Sequence, residues 1–278
     1  MDKALILFSR LPIGRETKTR LAPLLNERER EELHRAMWAD IFSAVSELRS
    51  EADIFLYWTG SGDIKDYAAL IPPFFHLREQ GKGNLGQKMR QALREIFKEG
   101  YSRVCLMGTD VPEVRPWHLW RAFDELEKVD TVIGPSLDGG YWLIGMRRFI
   151  PEAFDIPSWG GVDVLHATLK HMRSQGASCD LMDALLDIDT PKDVVSFLER
   201  GLVQNSVYSF FCRLRSEVAY ASGDPSNSET APPQGPSSQP SATPRAPNGG
   251  FGGNGAEAGL AVLSVLPPSS QSRPSPPD

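Results

Sequence analysis

Short runs of consecutive apolar residues alternate along the chain with longer segments in which apolar residues recur every three or four positions. Ala4 to Phe8 is the first run, and Val104 to Met107 is another of the same kind. Runs of this length are typical of strands that are buried on both faces of a parallel sheet. The longer segments, clearest at Leu33 to Leu48 and Leu85 to Phe97, predict amphipathic helices. Strands that alternate with helices predict a layered α/β domain with a mostly parallel sheet.

The same patterns predict further elements. The predicted strands and extended segments are Asp53 to Thr59, Phe74 to Leu77, Thr131 to Ile133, Tyr141 to Ile144 and Leu185 to Ile188. The predicted helices are Trp117 to Leu126, Val164 to Met172 and Pro191 to Leu198. Asn26 followed by Glu29 is typical of a helix start, because each side chain can bond the other residue's backbone N–H.

The composition changes near residue 205. Residues 1–205 fit one α/β domain, and 206–221 have the spacing of one more helix. From 222 to 278 the chain is rich in Pro, Ser, Gly and Ala. Such a segment buries too little apolar surface to offset its ordering entropy, so we predict a disordered C-terminal tail.

Charge and cysteine content exclude several classes of protein. The 278-residue chain has a formal net charge of -6, which argues against nucleic acid as the main partner. Cys105, Cys179 and Cys212 are far apart and include no CxxC pair, which favours a reducing compartment and no structural zinc. No apolar run is long enough for a membrane span, and the first is too short for a signal peptide. We therefore expect a cytoplasmic protein; its oligomeric state stays open.

An acidic residue stands just past the strand Val104 to Met107. Gly108 ends the strand, Asp110 follows, and Pro112 prevents further ladder pairing. Ligands of open α/β sheets sit outside the carboxyl ends of the strands, so Asp110 could reach a metal or a ligand there. The alternative is that Asp110 only turns the chain or caps the next helix.

The loop after the first strand is basic. Arg10, Arg15, Lys18 and Arg20 surround Gly14, and a flexible cationic turn at the end of a buried strand suits a phosphate or diphosphate. The loop is not a Walker A motif, because it lacks the glycine before the lysine. It could also be a solvated surface loop.

Three other polar segments are candidates for the site. Asp138-Gly139-Gly140-Tyr141 could let a ligand approach the main chain or could be a plain hairpin. Asp187 and Asp189 flank Ile188, and two acids so spaced suit a hard cation bound through oxygen atoms. The loop Gln80 to Met89 could place N–H groups near a base or sugar, and Trp159 could stack on one. Alternatively, the loop lies on the surface and Trp159 is a buried anchor.

Taken together, these stretches resemble a known family. The matching set is Lys18-Thr19-Arg20-Leu21, Leu85-Gly86-Gln87-Lys88-Met89, Gly108-Thr109-Asp110-Val111-Pro112, Asp138-Gly139-Gly140-Tyr141-Trp142-Leu143-Ile144-Gly145, Trp159 and Asp187-Ile188-Asp189-Thr190-Pro191. It resembles the bacterial glycosyltransferase-like family of uncharacterised proteins that includes those linked to arsenosugar biosynthesis. That family is related to the 2-phospho-lactate guanylyltransferases. The resemblance covers residues 1 to about 200 and is specific as an ordered set.

The resemblance implies a GT-A, Rossmann-like sheet flanked by helices and assigns roles to residues of this chain. It implies that Asp110 binds Mg²⁺ or Mn²⁺ on a nucleotide, with Asp189, or less favourably Asp187, completing the metal site. Asp110, Lys18 and Asp138 become the catalytic candidates. The implied nucleotide- and phosphate-binding residues are Gly14, Lys18, Arg20, Gln80, Gly81 and Gly86. The implied sugar or acceptor site contains Asp138, Gly139, Gly140, Tyr141 and Trp159.

Two chemistries and one non-catalytic role are compatible with this resemblance. The first is metal-dependent transfer of a sugar from a nucleoside-diphospho-sugar to a small-molecule acceptor, which we take as the main expectation. The second is nucleotidyl transfer from a nucleoside triphosphate to a phosphorylated small molecule. The third is a catalytically idle nucleotide-binding module. Pro112 departs from the Asp-x-Asp pattern of many glycosyltransferases, so this turn supplies one metal ligand, as in the nucleotidyltransferases.

Overall fold

The computed structural model describes residues 2–161 and 163–222 and contains a seven-stranded sheet. Its strands are β1 (Lys3–Arg10), β2 (Asp53–Thr59), β3 (His76–Glu79), β4 (Arg103–Gly108), β5 (Thr131–Pro135), β6 (Tyr141–Met146) and β7 (Cys179–Leu181). The strand order is β3-β2-β1-β4-β6-β5-β7. Only β6 runs against its neighbours, β4 and β5, and the other pairings are parallel. The predicted mostly parallel α/β sheet is confirmed.

Helices cover both faces of this sheet. They are α1 (Glu27–Ser46), α2 (Leu85–Lys98), α3 (Pro116–Glu125), α4 (Val164–Ser174), α5 (Pro191–Glu199) and α6 (Ser206–Ser222). Leu5 and Leu7 of β1 pack in one apolar cluster with α1 and α3, whereas Ile6 packs in a second with α2 and α4. Alternate residues of one strand therefore face opposite helical layers, which is why the run Ala4 to Phe8 has no polar interruption.

The predicted helix start at Asn26 is confirmed by its bonding. The Asn26 side chain accepts from Glu29 N at 3.0 Å, and the Glu29 carboxylate accepts from Asn26 N at 2.7 Å. Asn84 and Gln87 form the same reciprocal cap at the start of α2. Each cap satisfies backbone N–H groups that have no partner in the first helical turn.

One predicted strand has other bounds in the structure, and one predicted extended segment forms no regular strand. The strand expected from Phe74 begins two residues later, because Phe75 instead packs edge-on against Phe42, with ring centroids 5.1 Å apart. The segment Leu185 to Ile188 forms only an isolated bridge, between Leu185 and Ser136. The outermost strand is β7, which contains a polar Asp180 and is too short to produce an apolar run.

The helix predicted beyond residue 205 packs on the domain. Both carboxylate oxygens of Asp40 accept from the first N–H groups of α6, Ser206 at 2.6 Å and Val207 at 3.0 Å. Val207 and Phe211 are fully buried in a cluster shared with α1 and α5. Within the described residues, no helix is both long and apolar enough to cross a membrane. The tail predicted over 222–278 lies outside the described residues from 223 onward.

Candidate functional site

A cavity of about 750 Å³ opens beside the carboxyl ends of β1 and β4. Arg10, the last residue of β1, and Asp110, two residues after β4, line it, and Asp187 and Asp189 line it from the segment before α5. Parallel neighbouring strands end at the same edge of a sheet, so residues far apart in sequence meet there. The cavity is large enough for a nucleotide-sized ligand.

The ammonium group of Lys18 lies between two carboxylates at this edge. Lys18 Nζ is 2.9 Å from Asp110 Oδ1 and 3.2 Å from Asp189 Oδ1. The same nitrogen donates to the carbonyl oxygen of Ile188 at 2.7 Å. The structure therefore brings together three residues that the sequence places in separate motifs, and both acids contact one nitrogen atom.

The backbone around Lys18 also holds this arrangement. Ile188 N donates to the Asp110 carbonyl oxygen at 3.2 Å, which ties the two acidic segments to each other. Lys18 itself has a φ of 48°, in the left-handed region, and is the sole non-glycine residue of the described chain with a positive φ. Its side chain is only 3% exposed. Strained backbone of this kind is concentrated at functional sites.

The charges of this cluster depend on each other. Burial acts to lower the pKa of Lys18, but the negative charges of Asp110, Asp189 and Asp187 outweigh it and raise that pKa. Burial acts to raise the pKa of Asp110, but the charge of Lys18, its hydrogen bond and the charge of Arg10 outweigh it, so that pKa is lowered. At neutral pH the site therefore holds an ammonium ion and an ionised carboxylate in contact.

The carboxyl group of Asp187 also belongs to this site. Its Oδ1 is buried and has no hydrogen-bond partner among the described residues. Burial, followed by the charge of Asp110, raises the pKa of Asp187 to about 8, and Lys18 only partly opposes this. A buried carboxylate without a partner beside further carboxylates is the donor chemistry that a hard divalent cation matches.

The predicted metal ligands lie in this cluster of carboxylates. No group of three or more His, Cys, Asp or Glu side chains in the described chain is arranged to hold a metal ion. Mg²⁺ is usually bound through only one or two carboxylates together with substrate phosphates and water. Asp110, Asp187 and Asp189 all line the cavity and suit that mode. Asp110 and Asp189, the two predicted ligands, both pair with Lys18, and Asp189 also pairs with Arg20 at 3.5 Å, whereas Asp187 Oδ1 has no partner among the described residues.

Cationic side chains lie around the cavity. Arg10, Arg20 and Lys88 line it in addition to Lys18. Arg20 is 69% exposed, so an incoming anion can contact it at little desolvation cost. Gln80 also lines the cavity, and its Nε2 donates to the carbonyl oxygens of Ser9 at 3.2 Å and Tyr57 at 3.0 Å.

Three glycines predicted to bind the nucleotide are placed elsewhere. Gly14, Gly81 and Gly86 do not line the cavity. A Cβ on Gly14 would lie 1.9 Å from the Glu27 carbonyl oxygen, and one on Gly86 would lie 2.4 Å from the Trp159 ring. Packing against neighbouring elements accounts for glycine at these two positions.

Four of the five predicted acceptor residues line the same cavity. Asp138 Oδ1 accepts from Gly140 N at 3.0 Å and from the Ser136 hydroxyl, and Gly139 adopts a φ of 94°. Asp138, Gly140, Tyr141 and Trp159 line the cavity, whereas Gly139 does not. The hydrogen bonds of Asp138 support the shape of its own turn, so its catalytic role stays a prediction.

His34 was not singled out from the sequence but lines the cavity floor. Its Nδ1 contacts the Thr17 hydroxyl, and its Nε2 is 3.3 Å from the Ser9 hydroxyl. The only sequence signal was a histidine among the apolar positions of α1. Burial lowers the pKa of His34 to about 4; the charge of Asp110 opposes this shift, and Lys18 and Arg10 add to it.

This pKa predicts a pH-dependent stability. The folded pKa lies below the ordinary value of 6.5, so the unfolded chain takes up the proton first. The free energy of unfolding should then fall by about 3 kcal/mol as the pH drops from the unfolded pKa towards the folded one. Urea titrations between pH 7 and 4 should show this loss in the wild type and a smaller one in His34→Gln. Asp187 titrates in the opposite sense in both proteins, so the difference between them isolates His34. Equal slopes would contradict a neutral buried His34.

Part of the chain matches a family model, and several named enzymes are similar to it in sequence. Residues 44–161 match the model of a family described as uncharacterized protein conserved in bacteria, DUF2064. The chain is 28% identical over 196 residues to the 2-phospho-L-lactate guanylyltransferase of Methanothermobacter thermautotrophicus, covering 69% of this chain and 83% of that enzyme. It is 30% identical over 143 residues to that of Methanobrevibacter smithii, covering 51% of this chain and 62% of that enzyme. The chain thus spans less than two thirds of the Methanobrevibacter enzyme.

The chain is also similar to an enzyme with a different named substrate and to a solved crystal structure. The 3-phospho-D-glycerate guanylyltransferase of Phenylobacterium zucineum is 27% identical over 187 residues, covering 66% of this chain and 80% of that enzyme. A crystal structure from Desulfovibrio desulfuricans G20, assigned as a nucleotide-diphospho-sugar transferase, superposes with a TM-score of 0.73 at 28% identity, covering 77% of this chain and 96% of that one. The chain therefore shares its fold with that nucleotide-diphospho-sugar transferase and is similar in sequence to guanylyltransferases. The narrower resemblance to arsenosugar-linked proteins stays a prediction.

Proposed function

We propose that this protein is a nucleotidyltransferase, which joins the nucleoside monophosphate of a nucleoside triphosphate to a phosphorylated small acid. The observation that carries the proposal is the buried ammonium of Lys18 between Asp110 and Asp189, beside a cavity lined by further cations. The guanylyltransferase relatives support it and favour a guanine nucleotide and a phosphorylated carboxylic acid. Sugar transfer, our main expectation from the sequence, has less support from these relatives than its nucleotidyl alternative.

The residues of the site suit this reaction. An oxygen of the acceptor phosphate attacks the α-phosphorus, the bond to the β-phosphate oxygen breaks, and pyrophosphate leaves. The attacking oxygen is already an anion, so no general base is needed. Catalysis of this kind rests on positioning and on stabilising negative charge. In this proposal Lys18, which lines the cavity, contacts the reacting phosphates, and Arg10 and Arg20 hold the others.

A divalent cation fits the carboxylates of the site. Mg²⁺ or Mn²⁺ would be held by Asp110 with Asp187 or Asp189, and when bound it would neutralise charge on the triphosphate. Asp187 supports this assignment because its buried oxygen has no other partner among the described residues. A cytoplasmic location, as predicted, would supply nucleotides and phosphorylated acids.

A product assay tests the proposal. The protein is incubated with Mg²⁺, each nucleoside triphosphate in turn, and either 2-phospholactate or 3-phosphoglycerate. We expect pyrophosphate release that requires both the triphosphate and the phosphorylated acid. A parallel series offers sugar nucleotides with the unphosphorylated acids. Release of nucleoside diphosphate in that series, without pyrophosphate in the first, would overturn the proposal in favour of sugar transfer.

A further inference from the structure

A buried polar network joins segments of the chain that meet at the cavity. Ser9, Thr17, His34 and Thr109 are each at most 4% exposed. The His34 ring contacts the hydroxyls of Thr17 and Ser9, and the Ser9 hydroxyl lies 2.7 Å from that of Thr109. Buried polar groups that are hydrogen-bonded to one another favour one relative arrangement of the segments that carry them.

Each member adjoins a residue of the site. Thr17 precedes Lys18, Thr109 precedes Asp110, and Ser9 precedes Arg10 at the end of β1. The imidazole on α1 therefore connects the basic loop to both strand ends. Trp38, one turn further along α1, donates from its indole Nε1 to the Ser9 hydroxyl at 2.7 Å and anchors the network to the helix.

Lys18 needs such support. A left-handed backbone costs free energy for a residue with a side chain, and it persists only where surrounding contacts over-determine it. The contact from Thr17 to His34 is made by the residue directly before Lys18. The ammonium must also stay within bonding distance of Asp110, whose turn depends on Thr109 in the same network.

We propose that His34 is a positioning residue, which through the hydroxyls of Thr17 and Ser9 holds Lys18 and Asp110 in the geometry the reaction requires. His34 does not contact the reacting atoms. The kinetic part of this inference rests on the proposed nucleotidyl transfer. The structural part concerns only the order of the segments 14–20 and 108–111.

The kinetic test compares His34→Gln and Thr17→Val with the wild type. We expect kcat to fall about 10- to 100-fold in each, because small displacements of positioned groups have effects of that size. KM for the triphosphate should change little, since the lost interaction serves the transition state. The double variant should be no worse than either single one, because both break the same link. Thr17→Ser, which keeps the hydroxyl, should restore most of kcat.

Hydrogen exchange tests the structural part without turnover. Amides of 14–20 and 108–111 should exchange about tenfold faster in His34→Gln and Thr17→Val than in the wild type. His171→Gln is the matched control, because His171 bonds the Glu152 carbonyl at 2.8 Å, outside the cavity. Unchanged exchange in both variants, or additive losses of kcat, would overturn the inference. An inactive wild type whose exchange still responds as expected would refute the proposed reaction and leave the positioning role standing.

Discussion

Lys18→Met is expected to reduce nucleotidyl transfer by about 10²- to 10³-fold, the usual cost of removing one preorganised donor to a developing charge. The methionine keeps much of the side chain's length but not its ammonium, which contacts Asp110 and Asp189. Single-turnover rates of pyrophosphate release measure the effect. Lys128→Met is the matched control, because that lysine is exposed and pairs with Glu125 on the surface.

The same substitution should also lower stability. Two carboxylates would lose their shared cation, and each is 43% exposed, so water replaces part of the lost interaction. We expect a loss of about 1–3 kcal/mol in the free energy of unfolding, measured by urea titration. Lys18→Arg separates the two effects, because it keeps the charge but cannot reproduce the compact geometry of the ammonium. Wild-type turnover in Lys18→Met would remove Lys18 from the reaction.

Asp110→Asn has the second largest expected effect. The amide keeps the shape of the carboxylate but loses the charge that partners Lys18 and would bind the metal. Turnover should fall by about 10- to 100-fold or more, since replacing a residue that only hydrogen-bonds to a metal ligand already has an effect of that size. The Mg²⁺ concentration for half-maximal rate should rise as well, which a Mg²⁺ titration of the initial rate measures.

The control for Asp110→Asn is Asp183→Asn. Asp183 is an exposed carboxylate that pairs with Arg121 at 3.3 Å and does not line the cavity. Its replacement should leave both the rate and the Mg²⁺ dependence unchanged. An Asp110→Asn protein with normal rate and normal Mg²⁺ dependence would contradict both proposed roles of Asp110.

The sequence predicted the helices and strands well, because these elements depend on residues that are close together along the chain. The spacing of apolar residues and the helix-capping pairs located six helices and most strands. A few consecutive residues of a helix or strand are enough to reveal which of its faces is buried. β7 was missed for the complementary reason: a three-residue edge strand containing Asp180 has too few buried positions to leave a pattern. Gly14 shows that the role of a single residue is harder to predict than an element. A glycine is required there because the Glu27 backbone lies against it, and the local sequence does not show this contact.

By itself the sequence determined the fold class, the position of Asp110 after a buried strand and the basic character of the loop around Lys18. Only the tertiary structure decided that Lys18 lies between Asp110 and Asp189, that a buried oxygen of Asp187 has no partner among the described residues, and that His34 connects segments of the site. The physical reason is distance along the chain. Local pattern reports burial, whereas the pairing of charges 171 positions apart depends on which strands end side by side in the sheet.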